Sequence, residues 1–523
     1  MTRDPEVATF RRDSVLAGMV ATGAINGDER DAAAAQDLVE LVTERSTQTG
    51  LGSVQGSQYG TEYFVEYVRR LLYEEFGSEL VNGGGLRVYT TLDRNAQQAG
   101  YEAIYGTLDA ESDPEGSLVS IDSSGQVLAM VGGQNFAESE LNLALGASAP
   151  DLSGGVLTMG GSGRQAGSSF KPFVLATALE RGLSPRSRFT NFDTYTFAGA
   201  NDGADWEVSN YRAPDDEDER DRQPVFDLEQ ATMASSNTIY AQLMLEVGPA
   251  NVVELANRLG VAADLPTVNA LAVGTGDVSV LDMATAYSTF SRRGERIQPI
   301  VITKVEQVLD DDVEVLYDIA DNIQREQVME PQIADQVNRI LEQVAVNGTG
   351  ANAYFGIPMA GKTGTTQDYR DAWFVGYTPD ITTAVWMGYP NLDASGNPVF
   401  MDDVRGIPVS GSTFPSSIWR QYMVEITGGN SDGNFADVDY TGEILNPDLV
   451  ETTTTQPFCD EVAATDPDDD GDDESEDDDE EDDCRPRPTT TTSEPDETTT
   501  TAAETTTTAA PTTEAPPDTA EGG

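Results

Sequence analysis

The chain has 523 residues, with 91 acidic against 30 basic, a formal net charge of −61 and no histidine. That balance argues against a nucleic-acid partner, and the missing histidine excludes a Ser-His-Asp or Cys-His site and any His-ligated metal. Both cysteines, Cys459 and Cys484, fall in an acidic tail, so the core holds no thiol nucleophile and no cysteine-based zinc site.

Residues 1–50 read as helices over Ala8–Met19 and Asp28–Thr43, joined by a turn at Gly23–Gly27. Met1 is not followed by an apolar segment, and no apolar run reaches the ~18 residues of a span, so neither a signal peptide nor a membrane span is read. A Gly/Ser/Gln linker is expected at Thr47–Gly60. Tyr63–Leu72 has the period of an amphipathic helix ending near Gly77. Leu86–Thr91 alternates as a strand, and Asp93 caps a helix through Ala103. Residues 51–115 are on this reading a linker region, and a compact domain spans 116–426.

Within that domain, Leu118–Asp122 and Gln126–Val131 flank Ser123-Ser124-Gly125 as a hairpin. Val174–Arg181 consists of good helix formers, with Gly182 as a stop. Pro172 fits only the first turn of that helix, so the helix should begin near Ser168 or Ser169. Asn201–Gln223 is polar and reads as a surface excursion. Helices are expected over Asp227–Met233 and Thr238–Glu246, broken by Ala234–Asn237, and over Leu281–Phe290, Pro331–Val346 and Ser416–Ile426. Strands are expected at Met359–Thr366, Ala372–Tyr377 and Thr382–Tyr389. Residues 427–450 read as a second linker. From Glu451 onward an acidic block and Thr/Ala/Pro repeats predict disorder. Asp466, Asp468, Asp470, Gly471 and Asp477 follow a calcium-loop spacing, but helices are missing on both sides, so no metal is assigned. Cys459 and Cys484 can pair around this block if the tail is exported.

Lysine usage singles out the chemistry. Only Lys171, Lys304 and Lys362 occur, and the other 27 basic residues are arginine. Arginine cannot lose its proton in a protein, whereas lysine can, and burial or a neighbouring cation lowers its pKa. Ser168 and Lys171 are three apart and share a helix face, so the pair has the form of a serine activated by an uncharged amine. Ser168 would also sit at the positive end of the helix dipole. Lys362 opens Lys362-Thr363-Gly364 on a strand, and Lys304 reads as an exposed strand residue.

Three pieces stand in order: Ser168-Ser169-Phe170-Lys171, Ser235-Ser236-Asn237 and Lys362-Thr363-Gly364. They resemble the serine penicillin-recognising set. With Leu271–Gly276, Asn347–Ala351, Gly361–Thr366 and Asp371–Pro379, the chain is similar over roughly 85–426 to the transpeptidase module of bifunctional class A penicillin-binding proteins. The resemblance implies an α/β (α+β) penicillin-binding and serine β-lactamase-like fold, with a central antiparallel sheet flanked by helices. It makes Pro5–Met19, with Arg11–Leu16, a helical remnant of the family's glycosyltransferase module within 1–50. The catalytic part of that module and the family's membrane anchor are absent from this sequence, so no polymerase activity is assigned and a fragment or truncation is expected. Ala166 departs from the proline usual in the family before Gly167.

The resemblance further implies that Ser168 attacks the penultimate D-alanine of a peptidoglycan stem peptide. Lys171, helped by Lys362, would take its proton, and Ser235 would relay that proton to the leaving D-alanine. Asn237 would hold Lys171 and the substrate amide, and the N–H groups of Ser168 and Thr365 would form the oxyanion hole. Lys362, Thr363, Gly364 and Thr365 would line the carboxylate site. No cofactor is implied. Stem peptides, β-lactams and cell-wall synthesis proteins are the implied partners, at the extracytoplasmic face. The same trio with water as acceptor would make a D,D-carboxypeptidase or β-lactamase; Ser236, where class A β-lactamases have aspartate, favours the penicillin-binding side. A penicillin-binding scaffold without turnover is the remaining alternative.

Overall fold

The computed structural model describes residues 5–453, apart from 23, 36–53, 111, 154, 160, 212–221, 310–311, 393–396, 432 and 451. The calcium-like spacing, the cysteines and the disordered tail expected from Glu451 lie outside the described residues but for Thr452 and Thr453, as does the end of the helix expected at Asp28–Thr43.

Helices α1 (Pro5–Ala21) and α2 (Gly27–Ala34) open the chain, and Asn26 and Glu29 cap the second reciprocally. Helix α3 (Thr61–Gly83) consists of two helical segments that meet at a kink: Gly77 takes a φ of 73° there, so the first segment stops at the expected glycine and a second follows it. Strand β1 (Leu86–Thr90) follows. Helix α4 (Arg94–Tyr105) is capped by Asp93, whose side chain accepts the N–H bonds of Asn95 and Ala96.

The region 51–115 is therefore not a linker over its described length. Phe64, Tyr67, Val68, Leu71 and Leu72 of α3 are buried in one apolar cluster, and Ala96, Ala99, Ala103 and Ile104 of α4 in a second. The polar, glycine-rich text around these helices suggested a linker, but their apolar faces are covered by the domain itself.

Strands β2 (Glu115–Asp122) and β3 (Val127–Val131) form the expected hairpin. The 3-10 turn Gly167–Phe170 leads into α5 (Lys171–Glu180). Strands β4 (Thr194–Asn201) and β5 (Ala204–Ser209) pair antiparallel. The excursion expected from Asn201 is thus, in its first part, an ordered hairpin turned at Asp202-Gly203. Helices α6 (Leu228–Met233), α7 (Asn237–Val247), α8 (Pro249–Leu259) and α9 (Val280–Ser291) come next. Strands β6 (Ile302–Leu309) and β7 (Asp312–Asp318) join β1 in a three-stranded antiparallel sheet. Helix α10 (Pro331–Asn347) precedes β8 (Ala360–Thr365), β9 (Asp371–Tyr377) and β10 (Ile381–Gly388), and α11 (Phe414–Thr427) closes the set.

The central sheet has the order β8-β9-β10-β2-β3, antiparallel throughout. It is sandwiched: α9 packs on β2, β9 and β10, while α4 and α11 contact it through the second apolar cluster. Buried on both sides, its strands read as nearly continuous apolar runs, Ala372–Tyr377 and Thr382–Met387. Helix α5 is apolar on every face because α7, α8 and α10 surround it, and its residues Lys171–Leu179 are all buried.

The stretch after α11 is also not a free linker. The Glu443 carbonyl accepts the Ser184 N–H (2.8 Å) and its N–H donates to the Gly182 carbonyl (2.8 Å), while Phe435, Tyr440 and Leu445 pack on the core. Among the described residues, no helix is long and apolar enough to cross a membrane.

Candidate active site

Ser168 stands in the 3-10 turn that enters α5. Gly167 has a φ of 55°, and a Cβ there would lie 2.7 Å from the Thr365 carbonyl oxygen. A residue with a Cβ would be strained at that φ and would collide with the end of β8, so glycine lets the turn lie against it. Ala166 has a φ of −69° that proline would share, but its N–H donates to the Gly276 carbonyl (3.4 Å).

Lys171 is fully buried. Its Nζ lies 3.0 Å from Ser168 Oγ, 2.5 Å from the Ser235 carbonyl oxygen, 2.7 Å from Asn237 Oδ1 and 3.3 Å from Ser235 Oγ. Burial first, and then the charge of Lys362, push its pKa well below the ordinary lysine value. Among the described residues, no acidic side chain offsets the shift at either lysine. A neutral amine has two N–H bonds and one lone pair. The Ser235 carbonyl and Asn237 Oδ1 can only accept, so they take the two N–H bonds, and the lone pair is left facing the Ser168 hydroxyl.

The second wall comes from the turn between α6 and α7. Ser235 holds a left-handed φ of 56°, a conformation that costs energy for a residue with a Cβ and aims both its carbonyl and its hydroxyl at Lys171. Ser236 caps α7, its Oγ accepting the Ile239 N–H (3.2 Å). Asn210, next after β5, fastens the same helix end. Its Oδ1 accepts the N–H groups of Asn237 (2.6 Å) and Thr238 (3.2 Å), and its Nδ2 donates to the Phe192 carbonyl (2.8 Å). Asn237 Nδ2 donates to the Ser209 carbonyl (2.9 Å).

The third wall is β8, an edge strand of the central sheet. Lys362 is fully buried, its Nζ donating to Ser235 Oγ (2.8 Å) and to the Thr363 carbonyl (3.2 Å). Burial lowers its pKa to about 7. The Thr366 N–H donates to the Asp371 carbonyl (3.1 Å), and residues along an antiparallel ladder alternate, so Thr363 and Thr365 turn their N–H and C=O groups away from β9. The backbone of Thr365 thereby faces Gly167. Gly364 allows the contact, since a Cβ there would lie 2.4 Å from the Ala166 carbonyl oxygen. Thr363 Oγ1 bonds Thr349 Oγ1 (2.8 Å), and Thr365 Oγ1 accepts the Gly411 N–H (3.1 Å).

Ser168, Lys171, Ser235, Asn237 and Lys362, more than 190 positions apart at the extremes, thus form one hydrogen-bonded chain, with Thr363, Gly364 and Thr365 as its wall. Lys304 lies elsewhere, half-buried on β6 and 2.7 Å from Glu306, which raises its pKa. Sequence reasoning missed Asn210, Thr349, Gly411 and Tyr240, whose buried ring lies 5.4 Å from Lys171 Nζ. Thr349 had a signal, since Asn347–Ala351 is among the resembling segments, but nothing in the sequence ties it to Thr363. A groove of about 1080 Å³ bounded by α3, β1 and the start of α4 lies apart from this site.

Residues 116–405, more than half of the chain, match the family described as penicillin binding protein transpeptidase domain. Penicillin-binding protein 1A of Mycolicibacterium smegmatis is 30% identical over 450 residues, covering 80% of this chain and 51% of the relative. That of Mycobacterium tuberculosis is 31% identical over 460 residues, covering 83% and 50%. The chain thus spans about half the length of the curated relatives it matches. Among solved structures, the penicillin-binding protein PonA1 of Mycobacterium tuberculosis superposes with a TM-score of 0.60 at 29% identity, covering 74% of this chain and 97% of that one. PonA1 in complex with penicillin V gives 0.57 at 30% identity, covering 72% and 97%. The fold is that of the penicillin-binding proteins and serine β-lactamases. The chain belongs to the class A penicillin-binding proteins and carries their transpeptidase domain.

Proposed function

We propose that this domain is a serine D,D-transpeptidase that cross-links peptidoglycan stem peptides through an acyl-enzyme on Ser168. The observation that carries the reading is the buried Lys171 amine, 3.0 Å from Ser168 Oγ with its N–H bonds engaged elsewhere. Ser168 Oγ adds to the carbonyl of the penultimate D-alanine while its proton passes to Lys171 Nζ. The N–H groups of Ser168 and Thr365 bind the resulting oxyanion; a donor of this kind is worth about 3–4 kcal/mol. Ser235 Oγ, within reach of both lysines, passes the proton to the departing nitrogen. The C–N bond breaks and the terminal D-alanine leaves as a free amine. The amine of a second stem peptide then attacks the ester, returns a proton to Ser168 Oγ by the same path, and leaves as the new amide.

Lys362, Thr363 and Thr365 bind the terminal carboxylate, a charge-assisted contact. Asn237 positions Lys171 and meets the substrate amide. A β-lactam presents a strained amide and a carboxylate in the same arrangement and acylates Ser168, and its ring stays attached, so no leaving group clears the site for the amine. Penicillin V bound to PonA1 supports this reading. Peptidoglycan strands are cross-linked outside the cytoplasmic membrane, so the domain works on that face, beside other cell-wall synthesis proteins. The test is transfer of a labelled D-amino acid into a stem pentapeptide: incorporation that is lost in Ser168→Ala supports the reading, and incorporation that persists in Ser168→Ala overturns it.

A further inference from the structure

Two tyrosines at the mouth of the cleft have no part in the chemistry above. Tyr211 directly follows Asn210, the residue that fastens the Asn237 wall, and is 69% exposed. Tyr369 comes four residues after Thr365, on the loop that leaves β8, and its ring rests on the second apolar cluster. The two hydroxyls are 3.0 Å apart and the rings meet edge to face at 6.4 Å. This contact joins the wall carrying Ser235 and Asn237 to the wall carrying Lys362 and Thr365. Asp368 and Tyr369 both hold a φ of 56°, a conformation disfavoured for residues with a Cβ, and the Tyr369 carbonyl accepts the Met401 N–H (2.9 Å). The loop is thus held in a costly shape that presents the ring to Tyr211.

An extended ligand is recognised at a strand edge by the outward N–H and C=O groups, here those of Thr363 and Thr365. A ligand long enough to continue past Thr365 meets the tyrosine pair. Resting on the transpeptidase reading, we propose that Tyr211 and Tyr369 bridge the cleft in the free enzyme and are specificity-determining residues. A long acyl donor must part the hydroxyls and run between the rings, whereas a short one reacts beneath them.

The apparent affinity for a long ligand falls by the fraction of molecules in which the bridge is open. The experiment is stopped-flow acylation of the full chain and of Tyr211→Phe, Tyr369→Phe and the double variant. It uses a penicillin with a bulky fluorescent side chain and, as the short ligand, 6-aminopenicillanic acid. Phenylalanine keeps each ring and removes the bond, so the expected result is that each single variant accelerates acylation by the bulky penicillin about 2- to 10-fold. The double variant gains no more than a single one, since the bond is shared, and the short ligand is unaffected. Unchanged or slower acylation in all three variants, additive gains, or equal gains for both ligands overturn the proposal and leave the acyl-enzyme reading standing. An unmodified chain that neither β-lactam acylates sinks that reading, and this proposal with it.

Discussion

Lys362 Nζ stands 2.8 Å from Ser235 Oγ, so two buried lysines from distant parts of the chain meet on one hydroxyl, with Lys171 Nζ 3.3 Å away on its other side. Two amines this close in a dry site cannot both hold a proton without cost, and the electrostatic difference between them sets their roles. On the proposed mechanism Lys171, with its N–H bonds absorbed by a carbonyl and an amide oxygen, is the base, and Lys362, whose hydrogen bonds among the described residues go to hydroxyl and carbonyl oxygens of Ser235 and Thr363, carries charge toward the substrate.

Replacing Lys171 by arginine retains a cation but removes the possibility of a neutral base. Acylation by a β-lactam should fall by about 10²–10⁴-fold, the usual contribution of a positioned base. Stopped-flow rates on the two proteins check it.

Ser235→Ala removes the hydroxyl between the lysines while leaving the Ser235 carbonyl contact to Lys171. Acylation should slow by about 10²-fold or more through loss of proton transfer, with thermal stability little changed. A drop in melting temperature accompanied by an unaltered acylation rate would assign the hydroxyl a structural role instead.

Lys362 releases its proton at about pH 7 in the folded protein. Acylation by a carboxylate-bearing β-lactam should therefore decline on the alkaline side with an apparent pKa near 7. On the proposed mechanism the acid limb reports protonation of Lys171, whose pKa burial and Lys362 lower. An unfolded lysine keeps its proton to about pH 10.4. Between these two values the unfolded chain binds more protons, so this residue makes stability rise with pH across that window and fall as pH drops through it. Urea titrations of the parent and of Lys362→Met at several pH values should show the larger upward slope in the parent.

Asn210→Ala takes the acceptor from two N–H groups at the start of α7. A destabilisation of about 1–3 kcal/mol is expected, together with slower acylation because Asn237 and Ser235 lose their anchor. Chemical denaturation measures the first and stopped-flow rates the second.

Much of this was legible because local chemistry and sheet pattern agree. Ser168 and Lys171 are three residues apart on a predicted helix, and β9 and β10 carry the apolar runs of a doubly covered sheet. The failures have physical causes. Strand β5 falls within the polar stretch from Asn201 that reads as a surface excursion; yet Asp202-Gly203 is a turn pair between alternating segments, and the far end of the hairpin delivers Ser209 and Asn210 to the site. The helices α3 and α4 fall in a stretch that reads as a linker because no sequence pattern says which surface an amphipathic face will meet. Contacts such as Thr349 to Thr363 and Gly411 to Thr365 join residues whose spacing carries no signal at all.

The most direct test is to react the chain with a fluorescent penicillin and map the adduct by mass spectrometry, beside Ser168→Ala and Lys171→Arg. One adduct at Ser168, absent from the first variant and slowed about 10²-fold or more in the second, is the predicted result. An adduct on any other residue, or undiminished labelling of Lys171→Arg, would contradict the assignment of an uncharged lysine as the base.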